Sequence, residues 1–223
     1  MKPLKVIAVG AHPDDIELSM SGLLLRFAAA GHDITWIIAT DGAAANGGRD
    51  PALAAVRSAE ASAAAKSAGA RLIQCCFPDG QLAWADAAPA VIGQHLCQLN
   101  ADLIVTHAPN DYHPDHRAVA RIVGDTAPVN IPVLHSDNML GLYFSPDILV
   151  DISDVFEAKL AALAMHESQK MPSFSEGITT WNRFRGLQST KAKFAHAKAY
   201  AIGRQLSAEL RPLLDRIGGY VML

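Results

Sequence analysis

Cysteine is scarce in this sequence, and its positions argue against a disulfide framework and a thiolate metal site. The three cysteines are Cys75, Cys76 and Cys97, of which two are adjacent and none forms a C-x-x-C pair. Adjacent cysteines rarely pair with each other, and the close spacing of a structural zinc site is missing. We therefore expect free, buried thiols in a reducing compartment.

Long uncharged apolar runs are also missing. Although 50% of the residues are hydrophobic, the longest candidate, at 21–40, is interrupted by Arg26, His32 and Asp33. A membrane-spanning helix needs about 18 or more consecutive apolar residues. The first ten residues, MKPLKVIAVG, lead directly into a strand pattern and lack the length and cleavage site of a signal peptide. These features predict a soluble, cytoplasmic protein without a membrane partner.

Neither sign of charge dominates the composition. The chain has 19 basic and 22 acidic residues and a net charge of −3, which argues against a nucleic-acid partner. A glycine-rich phosphate loop is missing as well, because VGAHPDD at 9–15 lacks the G-x-G-x-x-G spacing of a dinucleotide-binding loop.

Short apolar runs alternate with helical patterns, which predicts an α/β fold. LKVIAVGA, DITWIIAT, RLIQCCF and ADLIVTHA read as strands, and the segments between them have helical spacing. This alternation favours a Rossmann-like three-layer sandwich with a mostly parallel sheet. The length of 223 residues suits one domain over 1–223. Such sheets bind ligands at the carboxyl ends of their strands.

Some segments have specific local signals. Asp50, Pro51 and Gly69 suit the cap, first position and end of a helix between them. DDIELSMSGLLLRFAAAG at 14–31 reads as one helix, and 190–215 as a final helix. The pattern fails at 170–190, where we expect a binding loop. Its candidate pocket residues are Trp181, Arg183 and Arg185.

Two predicted strand ends carry the same three residue types. The first, AHPDDIE, supplies His12, Asp14 and Asp15, and the second, NDYHPDH, supplies Asp111, His113, Asp115 and His116. Acidic residues alone could simply favour a helix N-terminus, and a lone histidine is usually structural. If the two strands are neighbours, however, both groups meet at one edge of the sheet.

This combination of residue types favours a catalytic metal site. Histidine and carboxylate ligands without thiolate suit Zn²⁺ or Fe²⁺. Two ligands from the first segment and one from the second would leave a position open, as in a catalytic site. Of the two adjacent aspartates, one could bind the metal while the other acts as a base.

The two motifs resemble those of the LmbE-like (PIG-L) zinc-dependent N-deacetylases. AHPDD is followed about a hundred residues later by HPDH, and weaker matches fall in family order. These are TDG at 40–42, RxxE at 57–60, PDG at 78–80 and HESQ at 166–169. The chain departs from the family near its C-terminus, where KFAHAKAY at 193–200 replaces a YAE-like stretch. Family members remove acetyl groups from N-acetylglucosaminyl compounds.

The resemblance assigns a role to each site residue. It implies that His12, Asp15 and His116 bind the metal, Asp14 is the general base, and His113 is a cation oriented by Asp115. It also implies that Arg57 and Asp79 contact the sugar. Other interpretations are open, since Arg57 and Glu60 could form a surface helix pair and PDG is a good turn by itself.

The expected protein is a Zn²⁺- or Fe²⁺-dependent hydrolase that releases acetate and a free amine from a small amino-sugar substrate. By analogy with relatives, we expect a homo-oligomer. The alternatives are a metal-dependent phosphoesterase and a non-catalytic sugar-binding protein on the same fold. Acetate release from N-acetylated amino sugars would distinguish them.

Overall fold

The structure is a computed structural model that describes residues 2–45, 47–138, 143–170, 174–189, 194–204, 211–212, 214 and 219–221. Eight strands form one sheet. Their bounds are β1 (Lys5–Gly10), β2 (Asp33–Thr40), β3 (Arg71–Phe77), β4 (Leu103–His107), β5 (Val133–Ser136), β6 (Ile148–Asp151), β7 (Ala197–Arg204) and β8 (Gly219–Val221).

The described helices are α1 (Asp15–Ser19), α2 (Ser21–Ala29), α3 (Pro51–Ser67), α4 (Ala88–Leu99), α5 (Pro114–Thr126), α6 (Phe156–Ala164) and α7 (Ser175–Leu187). Short 3₁₀ turns lie at Leu82–Trp84, Ser153–Val155 and Glu167–Gln169. None of the helices in the described part of the chain is long and apolar enough to cross a membrane.

The strand order is β3-β2-β1-β4-β5-β7-β6-β8. The five strands from one end of this order, β3, β2, β1, β4 and β5, pair in parallel. At the other end β7 pairs antiparallel with β5 and β6, and β8 pairs antiparallel with β6. This confirms the predicted α/β fold with a mostly parallel sheet. Strand β1 pairs with β2 on one side and β4 on the other, so the order reverses there. Such a reversal opens a crevice at the carboxyl ends of the strands.

Apolar side chains cover both faces of the sheet. Along β1, Val6 and Ala8 join one buried cluster, which includes residues of α2, α3 and α6. Ile7 and Val9 join the other, which includes residues of α4 and α5. Because successive strand residues point to opposite faces, one short apolar run supports both clusters. The result is a three-layer arrangement around β1 and β4.

Several local predictions can be compared with the structure. Helix α3 is confirmed, since the Asp50 side chain accepts a hydrogen bond from Ala52 N and Gly69 has a φ of +68°. The single helix predicted at 14–31 is wrong, because α1 and α2 are separated at Met20. The loop predicted at 170–190 is also wrong in part, since it contains α7.

The helix predicted at 190–215 is wrong at its centre, because β7 occupies Ala197–Arg204, whereas the described residues 211–212 and 214 are helical. Alanine-rich segments favour helix intrinsically, but here hydrogen bonding to both β5 and β6 outweighs that preference. Residues 190–193, 205–210, 213 and 215 of that prediction lie outside the described residues. The cysteines are free as expected, but Cys76 and Cys97 are exposed rather than buried.

Candidate active site

The first His-Pro-Asp segment follows β1 and forms the centre of the site. His12, Asp14 and Asp15 are all buried, and α1 begins at Asp15. Asp14 precedes that helix with a φ of +112°, a backbone conformation that residues other than glycine rarely adopt. The register pairs Val9 of β1 with Thr106 of β4, so both motifs meet at one edge of the sheet.

Asp15 lies between two histidines, one from each motif. His12 Nδ1 is 3.2 Å from Asp15 Oδ2, and His116 Nε2 is 3.1 Å from Asp15 Oδ1. Two donors bound tetrahedrally to zinc lie about 3.4 Å apart, so this spacing is close to that of a metal site. Burial opposes ionisation of Asp15, but the surrounding imidazoles hold its pKa well below its usual range.

The far ring nitrogens of both histidines face further carboxylates. His116 Nδ1 is 3.1 Å from Asp111 Oδ1. His12 Nε2 is 3.1 Å from Asp79 Oδ1 and 3.4 Å from Asp115 Oδ2. Metal-binding histidines usually have such a carboxylate on the nitrogen that does not bind the metal. The residues present therefore fit a divalent metal with His and Asp ligands.

The donor atoms can be grouped in more than one way. Within the described residues, each of three sets brings its donor atoms within 4.8 Å of one another. The sets are His12, His113 and His116; Asp15, His107 and His116; and His12, Asp79 and Asp115. The predicted ligands His12, Asp15 and His116 draw on all three sets, and their assignment stays a prediction.

His107 is a buried member of this cluster that sequence analysis treated only as part of a strand. It ends β4, its Nε2 accepts a hydrogen bond from Ala11 N, and its ring stacks on His116 at 3.9 Å. Burial lowers its pKa to about 4, which favours the neutral ring. Its place at the end of the strand before the second motif was the signal that could have identified it.

Arg57 reaches the first motif from α3. Its Nη2 lies 3.1 Å from Asp14 Oδ2 and donates to Pro13 O, and its Nη1 donates to Gly42 O at 3.0 Å. Only 3% of Arg57 is exposed, which excludes the surface helix pair with Glu60. Burial raises the pKa of Asp14 to about 7, against the opposing charge of Arg57.

The second motif differs from its expected arrangement in two respects. The Asp115 carboxylate accepts hydrogen bonds from Gly80 N and Leu82 N and is not hydrogen-bonded to His113. Instead, His113 Nδ1 accepts from Asp115 N at 3.2 Å, so the ring proton belongs on Nε2. Burial and the charges of His12 and His116 lower the pKa of His113. This favours a neutral His113, because those effects outweigh the nearby carboxylates.

An open cleft of about 380 Å³ leads to this cluster, a volume that suits a small molecule. Its lining residues include Asp14, Arg57, Asp79 and His113. Asp79 also accepts a hydrogen bond from Ala44 N at 2.9 Å, which connects the segment after β2 to the site.

The segment expected to form a binding loop also contributes to the site. Trp181 lines a smaller recess beside Asp15 and His116, and its Nε1 donates to Asp137 Oδ2. Arg185 is buried and donates to the same oxygen, whereas Arg183 is exposed. Asp137 follows β5 and was not among the residues predicted for the site.

The fold and the cluster define a class: an α/β protein with histidines and aspartates at the carboxyl ends of its parallel strands. The PIG-L family, described as GlcNAc-PI de-N-acetylase, matches residues 7–127, more than half of the chain. The chain belongs to this family, and the resemblance carried by the two motifs is confirmed.

Relatives in sequence are named as deacetylases. Diacetylchitobiose deacetylase of Thermococcus kodakarensis is 26% identical over 186 residues, covering 74% of this chain and 70% of that protein. A probable N-acetyl-alpha-D-glucosaminyl L-malate deacetylase 2 of Bacillus cereus is 29% identical over 182 residues, covering 74% and 83%.

Solved structures share the fold. N,N'-diacetylchitobiose deacetylase from Pyrococcus horikoshii has a TM-score of 0.77 at 20% identity, covering 90% of this chain and 84% of that one. The 4-carboxy-2-hydroxymuconate hydratase GalB from Pseudomonas putida has a TM-score of 0.75 at 17% identity, covering 92% and 98%. Since one of these structures is a hydratase, the fold alone does not define the reaction.

Proposed function

We propose that this chain is a metal-dependent N-deacetylase that hydrolyses the acetamide of an N-acetylated amino sugar to acetate and a free amine. The observation that carries the proposal is the position of Asp15 between His12 and His116, each with a carboxylate at its far ring nitrogen. The sugar class is supported by relatives named as deacetylases of diacetylchitobiose and of an N-acetylglucosaminyl malate.

His12, Asp15 and His116 would hold Zn²⁺ or Fe²⁺, and three protein ligands leave a position open for chemistry. When bound, the ion would lower the pKa of a water molecule and polarise the acetamide carbonyl. Asp111 would orient His116, and Asp79 and Asp115 would orient His12, through the ring nitrogens that they face at 3.1–3.4 Å.

Asp14 would be the general base. Its carboxyl group lines the cleft next to Asp15, and Arg57 holds Oδ2 in place. The free oxygen of Asp14 would accept a proton from the attacking water. The contact with Arg57 therefore fixes the direction from which Asp14 meets the water.

His113 would stabilise the developing oxyanion as a neutral hydrogen-bond donor. Because its Nδ1 accepts from Asp115 N, its Nε2–H is the group available to the acetamide oxygen. In this proposal Asp115 positions His113 through the backbone amide, and its carboxylate positions His12. Arg57 and Asp79 also line the cleft, and we propose that they contact the sugar there.

The test is acetate release from a panel of N-acetylated amino sugars, measured before and after metal removal. We expect release that is abolished by a chelator and restored by Zn²⁺ or Fe²⁺. Asp14→Asn protein loaded with the same metal is the matched control for contaminating activity.

Parallel assays make the test specific. Hydrolysis of a phosphate ester, sugar binding without acetate release, or hydration of an unsaturated carboxylic acid would each contradict the proposal. The last of these is included because the fold occurs in a hydratase.

A further inference from the structure

Asp14 and Asp15 lie at the N-terminus of α1, yet this helix is a poor support by itself. It has five residues, no side chain caps its N-terminus, and Asp14 there has a φ of +112°. A helix this short is not stable in isolation, and a non-glycine residue keeps such a backbone conformation only where its surroundings impose it. Contacts from other elements must therefore fix the position of α1.

Lys159 of α6 provides one such contact. The side chain is 0% exposed, and its Nζ donates to Glu17 O at 2.5 Å and to Leu18 O at 2.7 Å. These carbonyls belong to the last turn of α1, where backbone acceptors lack donors from within the helix. Burying an amino group costs free energy, so these bonds are needed to retain Lys159 there.

His166 provides a second contact, from the turn that follows α6. Its Nε2 lies 2.8 Å from Glu17 Oε1, and both residues are fully buried. Glu17 is two residues after Asp15 on α1. The bond therefore connects α1 to a residue that lies 149 positions later in the chain.

The turn that carries His166 is itself tied to α3. Glu60 Oε1 accepts from Ser168 N at 2.8 Å, and Glu60 Oε2 accepts from Ser168 Oγ at 2.6 Å. Arg57 lies one helical turn before Glu60 and holds Asp14. The RxxE and HESQ stretches thus meet, and α1 is bound from both α3 and α6.

We propose that Lys159 and His166 are positioning residues that fix α1 and thereby orient Asp14 and Asp15 toward the metal and the substrate. This inference rests on the metal centre proposed above. Both residues act through α1, Lys159 on its carbonyls and His166 on the Glu17 side chain, rather than on the substrate.

Four variants separate positioning from general stability. Lys159→Met keeps an unbranched side chain, one atom shorter and without donors, and His166→Leu removes the donor to Glu17. His166→Gln restores a donor near the place of Nε2. Leu96→Ala is the control for lost stability. Leu96 lies in α4 and is buried in the apolar cluster that includes residues of α4 and α5.

The first measurement is amide hydrogen exchange over residues 12–20, which needs neither metal nor substrate. The amides of Leu18 and Met20 donate within this segment, to Asp14 O and Ile16 O. We expect about 10-fold faster exchange there in Lys159→Met and His166→Leu. His166→Gln and Leu96→Ala should match the original protein.

Zinc affinity by chelator competition and steady-state kinetics give the second and third measurements. We expect the same two variants to bind zinc about 10–100-fold more weakly, the scale for residues behind metal ligands. Their kcat should fall while KM changes by less than about twofold. His166→Gln should recover both properties.

The inference is overturned if both variants keep the original exchange rate and zinc affinity, or if His166→Gln behaves like His166→Leu. It is also overturned if Leu96→Ala shows the same changes. If the original protein neither binds zinc nor releases acetate, the proposed function fails, and the exchange measurement still decides whether Lys159 and His166 fix α1.

Discussion

The segments after β1 and β4 share the sequence His-Pro-Asp but are held in place differently. Helix α5 has 13 residues, begins at Pro114, and is capped by His113, whose Nδ1 accepts from Asp115 N. Helix α1 has five residues and no side-chain cap. The second segment is therefore supported by its own helix, whereas the first depends on contacts from α3 and α6.

In each segment an arginine side chain also donates hydrogen bonds to backbone carbonyls just before the helix. Arg117 of α5 is exposed and donates to Asp111 O and Tyr112 O at 2.7 and 2.8 Å. Arg57 is buried and contacts both Pro13 O and the Asp14 carboxylate. The difference teaches that tertiary contacts hold the segment with Asp14 and Asp15 in an unfavourable backbone conformation.

The largest effect should come from removing a proposed metal ligand. Asp15→Ala and His116→Ala should each lose most bound metal and reduce kcat/KM by more than about 10³-fold, because the ion supplies several kcal/mol of stabilisation. Metal content by elemental analysis and acetate release would check this. Full metal content in both variants would contradict the ligand assignment.

Removing the proposed base should be nearly as severe without affecting the metal. Asp14→Asn should keep its metal and lower kcat by about 10²–10⁴-fold, the usual contribution of general acid–base catalysis. Elemental analysis and circular dichroism would show whether metal and fold are retained. Metal loss equal to that of Asp15→Ala would mean that the roles of the two aspartates are reversed.

On the second segment, His113→Ala should retain the metal and lower kcat by about 10²–10³-fold, the scale for one oxyanion donor. Its effect on metal content distinguishes it from a ligand. A variant that loses its metal would instead place His113 among the ligands, as one of the possible groupings of donor atoms allows.

Arg57→Ala tests the tertiary support of the first segment. We expect kcat to fall by about 10–100-fold, because Asp14 loses the contact that orients it. Steady-state kinetics on the best sugar of the panel would measure this. A rise in KM with kcat unchanged would instead show that Arg57 acts only by binding the substrate.

The smallest effect should come from the matching change on the second segment. Arg117→Ala should alter kcat and KM by less than about threefold, since an exposed arginine contributes about 1 kcal/mol or less. The same assay compares it directly with Arg57→Ala. Equal losses in the two variants would remove the difference between the segments.

Local patterns predicted the part of the site that lies within continuous stretches. The strand–Pro-helix arrangement after β1 and β4 could be read from apolar runs followed by His-Pro-Asp, and the structure places these ends together. The Ala-rich stretch at 197–204 was predicted as helix but forms β7. Its partner strands β5 and β6 lie at least 46 residues away in the sequence, which is the separation of the paired residues Ala197 and Asp151. Pairing between strands so far apart in the sequence leaves no signal in the local residue pattern.

The sequence by itself determined the α/β class, the family, and the crowding of histidine and aspartate after two strands. These depend on residue type and spacing along a few neighbouring positions, which local chain geometry translates directly into structure. Only the tertiary structure decided that His116 Nε2 faces Asp15, that Arg57 contacts Asp14, and that Lys159 and His166 contact α1. Those features depend on contacts between distant segments that become neighbours only when the sheet and its two helical layers assemble.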